Sequence, residues 1–140
     1  MSLSFEVASK IIQHAIKRAR DMSYKPMGVI VLDAAGNIIS YGRDDGASML
    51  RFEISRGKAY AAIGMGASSR VLFEKAKLNP TFYTSLAAAA EGKFLAQTGA
   101  VLIRNEEGLI VGAAGASGGT GDEDEEICIE GIKAVGLIPS

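Results

Sequence analysis

The residues best suited to binding a ligand lie in a glycine-rich segment near the end of the chain, from Gly115 to Gly121. Glycine permits positive φ angles and a close approach of a ligand to the backbone. A loop that enters a helix can bind an anion through unpaired N–H groups. The acidic run that follows, from Asp122 to Glu126, would itself satisfy the helix dipole and repel an anion, and no P-loop lysine is present. We therefore predict a capped strand-to-helix turn that lines a pocket or a subunit interface, with Ser117, Gly118 and Gly119 as candidate ligand contacts.

Charged residues elsewhere in the chain are candidates to complete that pocket. Arg43 and Asp45 follow the end of a predicted strand, and Lys58 lies on a predicted helix. Together with the glycine-rich turn they could form a polar pocket in which Arg43 and Lys58 hold a small carboxylate. A structural ion pair that anchors the strand end to the helix explains the same residues equally well, because the sequence gives no distances. Both interpretations stay open.

His14 is the only histidine, so it is the only imidazole available as an axial haem ligand or as a general base near neutral pH. Its neighbours on the predicted helix face are charged, which favours a surface histidine on a solvated face. A haem site at this position would need a partner subunit to cover it.

The acidic run places carboxylates at helical i,i+3 spacing, and Asp122, Glu125 and Glu126 are its candidate ligands for a hard cation. A solvated acidic helix start, stabilised by the helix dipole, is the favoured interpretation. Cys128 follows on the same helix among apolar residues and predicts a buried, inert thiol. No G-x-S-x-G motif is present, and a single histidine disfavours a serine hydrolase.

The whole chain predicts one domain over residues 1–140. Its 140 residues are 48% hydrophobic, and its formal charge of −1 gives no electrostatic reason to expect nucleic acid or an anionic membrane as partner. A single cysteine excludes an internal disulfide and fits a reducing compartment, and no apolar run approaches the roughly 20 residues of a membrane helix. We therefore expect a cytoplasmic protein.

The elements that must position these residues follow from hydrophobic periodicity. Helices are predicted over 5–22, with Ser4 as cap, over 48–64, over a short segment that ends before Asn79-Pro80, and over 122–135. Hairpins are predicted around 28–42 and from 100–104 to 108–113. Residues 81–90 fit neither pattern, because alanines favour helix while the preceding β-branched and aromatic residues do not. This order, helix, two strands, one or two helices, two strands, helix, predicts an α+β domain with helices packed on an antiparallel sheet.

Two segments carry a resemblance to a known family. The stretch GAAGASGGTGDEDEE resembles the GAIGVSGG stretch and acidic pair of the GlcG/HbpS-like family, and VIVLDAAGNIISYGRDDGAS resembles its strand, turn and Arg-x-Asp-x-Ala pattern, with Arg43, Asp45 and Ala47 in the matching positions. Lys58-Ala59 is similar to the Lys-Ala pair of the family's second helix. Residues 69–99 depart from the family pattern.

The resemblance implies a profilin-like α+β fold and a homo-oligomer, since octamers are known in the family. It implies a small-ligand-binding module, with haem or a related tetrapyrrole as ligand, because the family includes haem-binding proteins and a domain attached to some corrinoid adenosyltransferases. The adenosyltransferase catalytic domain has no counterpart in this chain, so that activity is not expected. The alternative function is an enzyme that acts on a small carboxylate held by Arg43 and Lys58.

Overall fold

The computed structural model describes residues 3–140, which form five helices and a five-stranded antiparallel sheet. In chain order the elements are α1 (Phe5–Asp21), β1 (Gly28–Asp33), β2 (Ile38–Arg43), α2 (Arg51–Met65), α3 (Ser69–Leu78), α4 (Pro80–Ala89), β3 (Ala100–Arg104), β4 (Ile110–Ser117), α5 (Gly121–Ala134) and β5 (Ile138–Pro139). The strand order is β2-β1-β4-β3-β5, and every neighbouring pair is antiparallel. The predicted α+β class is confirmed.

The central strands are apolar on both faces because helices cover both faces of the sheet. Val29 and Val31 of β1 pack in a core with α1 and α5, whereas Ile30 and Leu32 of the same strand pack in a second core against α2. Successive side chains of a strand point to opposite faces, so a strand between two helical layers reads as a continuous apolar run. The molecule therefore has three layers, with α1 and α5 on one side of the sheet and α2 on the other.

Several local signals in the sequence are confirmed. Ser4 caps α1, since its side-chain oxygen accepts the Val7 N–H at 3.1 Å. Gly36 has a φ of 84° in the turn that joins β1 to β2. Thr120 and Glu123 form a capping box at the start of α5, in which each side chain accepts the other residue's backbone N–H.

Two elements differ from the sequence-based expectation. The ambiguous segment forms α4, which begins at Pro80, a residue tolerated in the first helical turn because its missing N–H has no partner there. No residue of α4 is buried, so no apolar periodicity was available to reveal the helix. The short strand β5 was not predicted, because two residues are too few to show alternation.

The glycine-rich segment is more strand than loop, which corrects the prediction that its strand ends at 113. Strand β4 runs to Ser117, and Gly115 pairs with both β1 and β3. A Cβ at Gly115 would lie 2.5 Å from the Ser55 carbonyl oxygen of α2. The glycine therefore lets α2 pack closely on the sheet, and only residues 118–120 connect β4 to α5.

Candidate functional site

A cleft of about 460 Å³ lies where α2 and α3 meet the connection between β4 and α5. Its walls include Arg51 and Lys58 of α2, Arg70 of α3, and Ser117 and Gly119 at the end of β4. This volume lies within the range of pockets that hold small molecules. The cleft is therefore the candidate functional site.

The floor of the cleft is a buried ion pair between Lys58 and Asp124, which are 5% and 2% exposed. The Lys58 ammonium donates to Asp124 Oδ2 at 2.9 Å and to the Ala116 carbonyl at 3.0 Å. The other carboxylate oxygen, Oδ1, accepts the Gly119 N–H at 2.9 Å. The pair thus joins α2, β4 and α5 and fixes the turn that forms one wall of the cleft.

Close packing leaves room for this pair only at a glycine. Gly99 has a φ of 136°, and a Cβ there would lie 2.6 Å from the Lys58 ammonium and 3.0 Å from the Asp124 Cβ. Burial raises the pKa of Asp124 above its usual range, while the Lys58 ammonium and the Gly119 N–H act in the opposite direction. Asp124 therefore depends on Lys58 to stay charged in this environment.

Arg51, the first residue of α2, supplies a cation with no carboxylate partner. Its Nη1 donates to Ser117 Oγ at 2.9 Å, and within residues 3–140 no carboxylate oxygen lies within 4.0 Å of its guanidinium. Its stem crosses β1 at Gly28, where a Cβ would lie 2.7 Å from the Arg51 Cβ. The geometry therefore aims a partly buried, uncompensated positive charge at the cleft.

Arg70, in contrast, is fully paired at the outer rim. Its Nη2 contacts Asp122, and its Nε donates to Glu125 Oε2 at 3.1 Å. The predicted cation ligands Asp122 and Glu125 thus surround an arginine, and Glu126 accepts from Arg18 Nε at 2.7 Å. In the part of the chain that the structure describes, no cluster of three or more histidine, cysteine or acidic residues could hold a metal ion.

The predicted pocket residues divide into two groups. Lys58, Ser117 and Gly119 line the cleft, and Gly118 lies beside them with a φ of 148°. Arg43 and Asp45 do not reach it: both are exposed, and the Arg43 guanidinium donates to the Ala47 carbonyl.

The ion-pair alternative for Arg43 and Asp45 is not seen either, because Lys58 is neutralised by Asp124. Arg43 ends the edge strand β2 and lies opposite Gly28, one strand away from Ser117. The sheet therefore holds its backbone in line with the cleft, but its side chain closes the following turn.

The remaining candidates lie apart from the cleft. His14 is exposed on α1, on the opposite side of the sheet. Cys128 is fully buried, and this burial raises the pKa of its thiol, which agrees with the predicted inert cysteine. No helix within residues 3–140 has the length and apolar character needed to cross a membrane.

Sequence reasoning missed Arg51 and Arg70 and assigned Asp124 to a solvated helix start. A signal for Arg51 was present, because residues seven apart lie on the same helix face and Arg51 precedes Lys58 by that spacing. For Asp124 the spacing was ambiguous, since four of its five acidic neighbours in the run from 122 to 126 stay at least partly exposed only because α5 turns that one face inward.

Comparisons with known proteins agree with this fold. At 27% identity, 137 residues match the corrinoid adenosyltransferase PduO of Citrobacter freundii, which is 98% of this chain but 40% of that relative. The chain thus spans less than half the length of this relative.

Solved structures match over nearly the whole chain. A crystal structure of a PduOC:haem complex superposes with a TM-score of 0.86 and 25% identity, covering 98% of this chain and 97% of that one. A crystal structure of HbpS superposes with a TM-score of 0.82 and 25% identity, covering 97% and 92%. The family model described as haem degrading protein HbpS-like matches residues 3–133. The chain therefore belongs to the HbpS-like family.

Proposed function

We propose that this protein is a small-ligand-binding module whose ligand is haem or a related tetrapyrrole. The observation that carries the proposal is the match, over 98% of the chain, to a structure solved as a haem complex. Adenosyl transfer is not proposed, because the chain matches 40% of the adenosyltransferase relative. Bound haem would supply a redox-active iron, and the protein would supply its ligands and orientation.

The residues around His14 fit one side of a haem site. The imidazole is exposed on α1, and an imidazole nitrogen is a common axial ligand of haem iron. Lys10 and Lys17 lie four residues before and three residues after it, so both share its helix face. Their ammonium groups suit the two propionates of a haem, although Lys17 also donates to Asp21 at 2.8 Å.

The same face lacks the apolar cover that a tetrapyrrole ring needs. Gln13, His14 and Lys17 are all exposed, and the apolar residues that are exposed on α1 or just after it, Phe5 and Met22, lie near its two ends. We therefore propose that a second copy of the chain covers the ring, which makes the haem-bound form a homo-oligomer.

A haemin titration followed by Soret absorbance tests the proposal. We expect a saturable Soret band in the wild-type protein and its loss in His14→Ala, because no other imidazole can replace the ligand. Gln13→Ala is the matched control, since it truncates the exposed neighbour on the same helix. Light scattering of the same samples should show assembly that depends on haem. No Soret change in the wild type would refute haem binding, and an unchanged band in His14→Ala would remove His14 from the site.

The alternative enzyme, which would hold a carboxylate between Arg43 and Lys58, gains no support from the geometry. Arg43 lies outside the cleft, and the Lys58 ammonium already has Asp124 and Ala116 as acceptors. Neither side chain is free to hold a substrate in this arrangement.

A further inference from the structure

We propose that the cleft is a second binding site, separate from His14, and that it takes a small monocarboxylate through the Arg51 guanidinium. The cleft lies on the α2 side of the sheet, whereas His14 lies on α1, which packs on the other side. This inference therefore goes beyond haem binding, and each site can be tested without the other.

The charge balance of the cleft leaves one cation free. Six ionisable residues line it: Arg51, Lys58, Arg70, Glu74, Asp122 and Asp124. Lys58 pairs with Asp124, and Arg70 with Asp122. Glu74 accepts from the Lys77 ammonium at 3.1 Å. Arg51 remains, and a partly buried charge without a counter-ion carries a desolvation cost that an anionic ligand would offset.

The Arg51 guanidinium is held in position to receive such a ligand. It carries five N–H donors, and one of its nitrogens, Nη1, bonds the Ser117 hydroxyl at 2.9 Å. That bond and the packing of its stem over Gly28 fix the side chain at two points. The remaining donors can form the two parallel hydrogen bonds that a carboxylate accepts from arginine.

The walls of the cleft limit the ligand to one negative charge. Asp122 and Asp124 both line the cleft, so a second negative charge on the ligand would meet these carboxylates. Ile54 and Phe73 provide an apolar wall, and Thr98 provides a hydroxyl. The matching ligand therefore has one carboxylate, a short apolar body and at most a few polar groups, which excludes phosphate-bearing metabolites.

Isothermal titration calorimetry and ¹H–¹⁵N NMR of the full chain with butyrate, lactate and benzoate test this site. At least one of these probes should bind saturably, with shifts at residues that line the cleft. Butyramide, which lacks the charge, and inorganic phosphate should bind more weakly than the best carboxylate. Arg51→Gln should weaken that carboxylate by about 10- to 100-fold, as expected for a lost charge-assisted hydrogen-bonded pair.

Arg56→Gln is the matched control, because it removes the same charge from the same helix while its guanidinium lies over Phe52, outside the cleft. It should leave carboxylate affinity unchanged, as should His14→Ala. Thermal unfolding of both arginine variants checks that they fold. The proposal is overturned if no carboxylate binds saturably, if butyramide or phosphate binds as tightly as the best carboxylate, or if Arg51→Gln and Arg56→Gln have equal effects.

Discussion

Replacing Lys58 by methionine should destabilise the protein strongly at neutral pH. The substitution keeps the length of the side chain but removes the ammonium, so Asp124 keeps only the Gly119 N–H as a donor at a position 2% exposed. Removing one partner of a buried ion pair typically costs about 3–5 kcal/mol. For a domain of this size that loss lowers the melting temperature by roughly 10–15 °C.

Urea unfolding at a fixed protomer concentration measures this free energy of unfolding. Lys17→Met is the matched control, because it breaks the Lys17–Asp21 pair, whose side chains are 72% and 58% exposed. Such surface pairs contribute about 0–1 kcal/mol. Lys58→Met combined with Asp124→Asn should cost less than Lys58→Met alone, because asparagine is neutral and its side-chain oxygen can still accept the Gly119 N–H.

The cost of Lys58→Met should also depend on pH. Burial raises the folded-state pKa of Asp124, and without Lys58 this pKa rises further. A raised carboxyl pKa means that the folded state binds the proton more tightly than the unfolded state, so lowering the pH toward about 4 should shrink the loss. A cost below about 1 kcal/mol at pH 7, or a double variant no more stable than Lys58→Met alone, would refute the description of a buried, coupled pair.

Three further predictions concern packing, acid stability and thiol reactivity. Gly115→Ala should destabilise the protein, because its Cβ would lie 2.5 Å from a backbone oxygen of α2; Gly64→Ala in the open part of α2 should instead add up to about 1 kcal/mol, and urea unfolding of both would contradict the packing argument if Gly115→Ala were neutral. The pair with Arg20 lowers the pKa of Asp44, so its contribution is present above pH about 4 and lost below it; Asp44→Asn should flatten that acid-side decline in unfolding experiments, and an unchanged decline would count against it. Cys128 should react with a thiol reagent only after unfolding, because it is fully buried, and rapid labelling of the native protein would show that this burial is absent.

Local signals in the sequence were sufficient for most of the fold. The Ser4 cap, the Gly36 turn and the apolar strand from 28 to 33 each depend on residues close together in the chain. Helix α4 could not be derived in the same way, since none of its residues is buried. The end of β4 was misplaced because glycines that usually mark a loop were selected here by the approach of α2.

The site separates more sharply into what the chain alone determined and what the fold decided. Residue types and spacing identified the family, the glycine-rich turn with Ser117 and Gly119, and Lys58 as a pocket residue. The tertiary structure chose the partners: Asp124 for Lys58, and a free Arg51 in place of Arg43. Lys58 and Asp124 are separated by 66 residues and meet only because α2 and α5 pack against β4. A charge becomes a site or a salt bridge according to its distance from other charges, and that distance is set by packing between elements that the sequence does not place side by side.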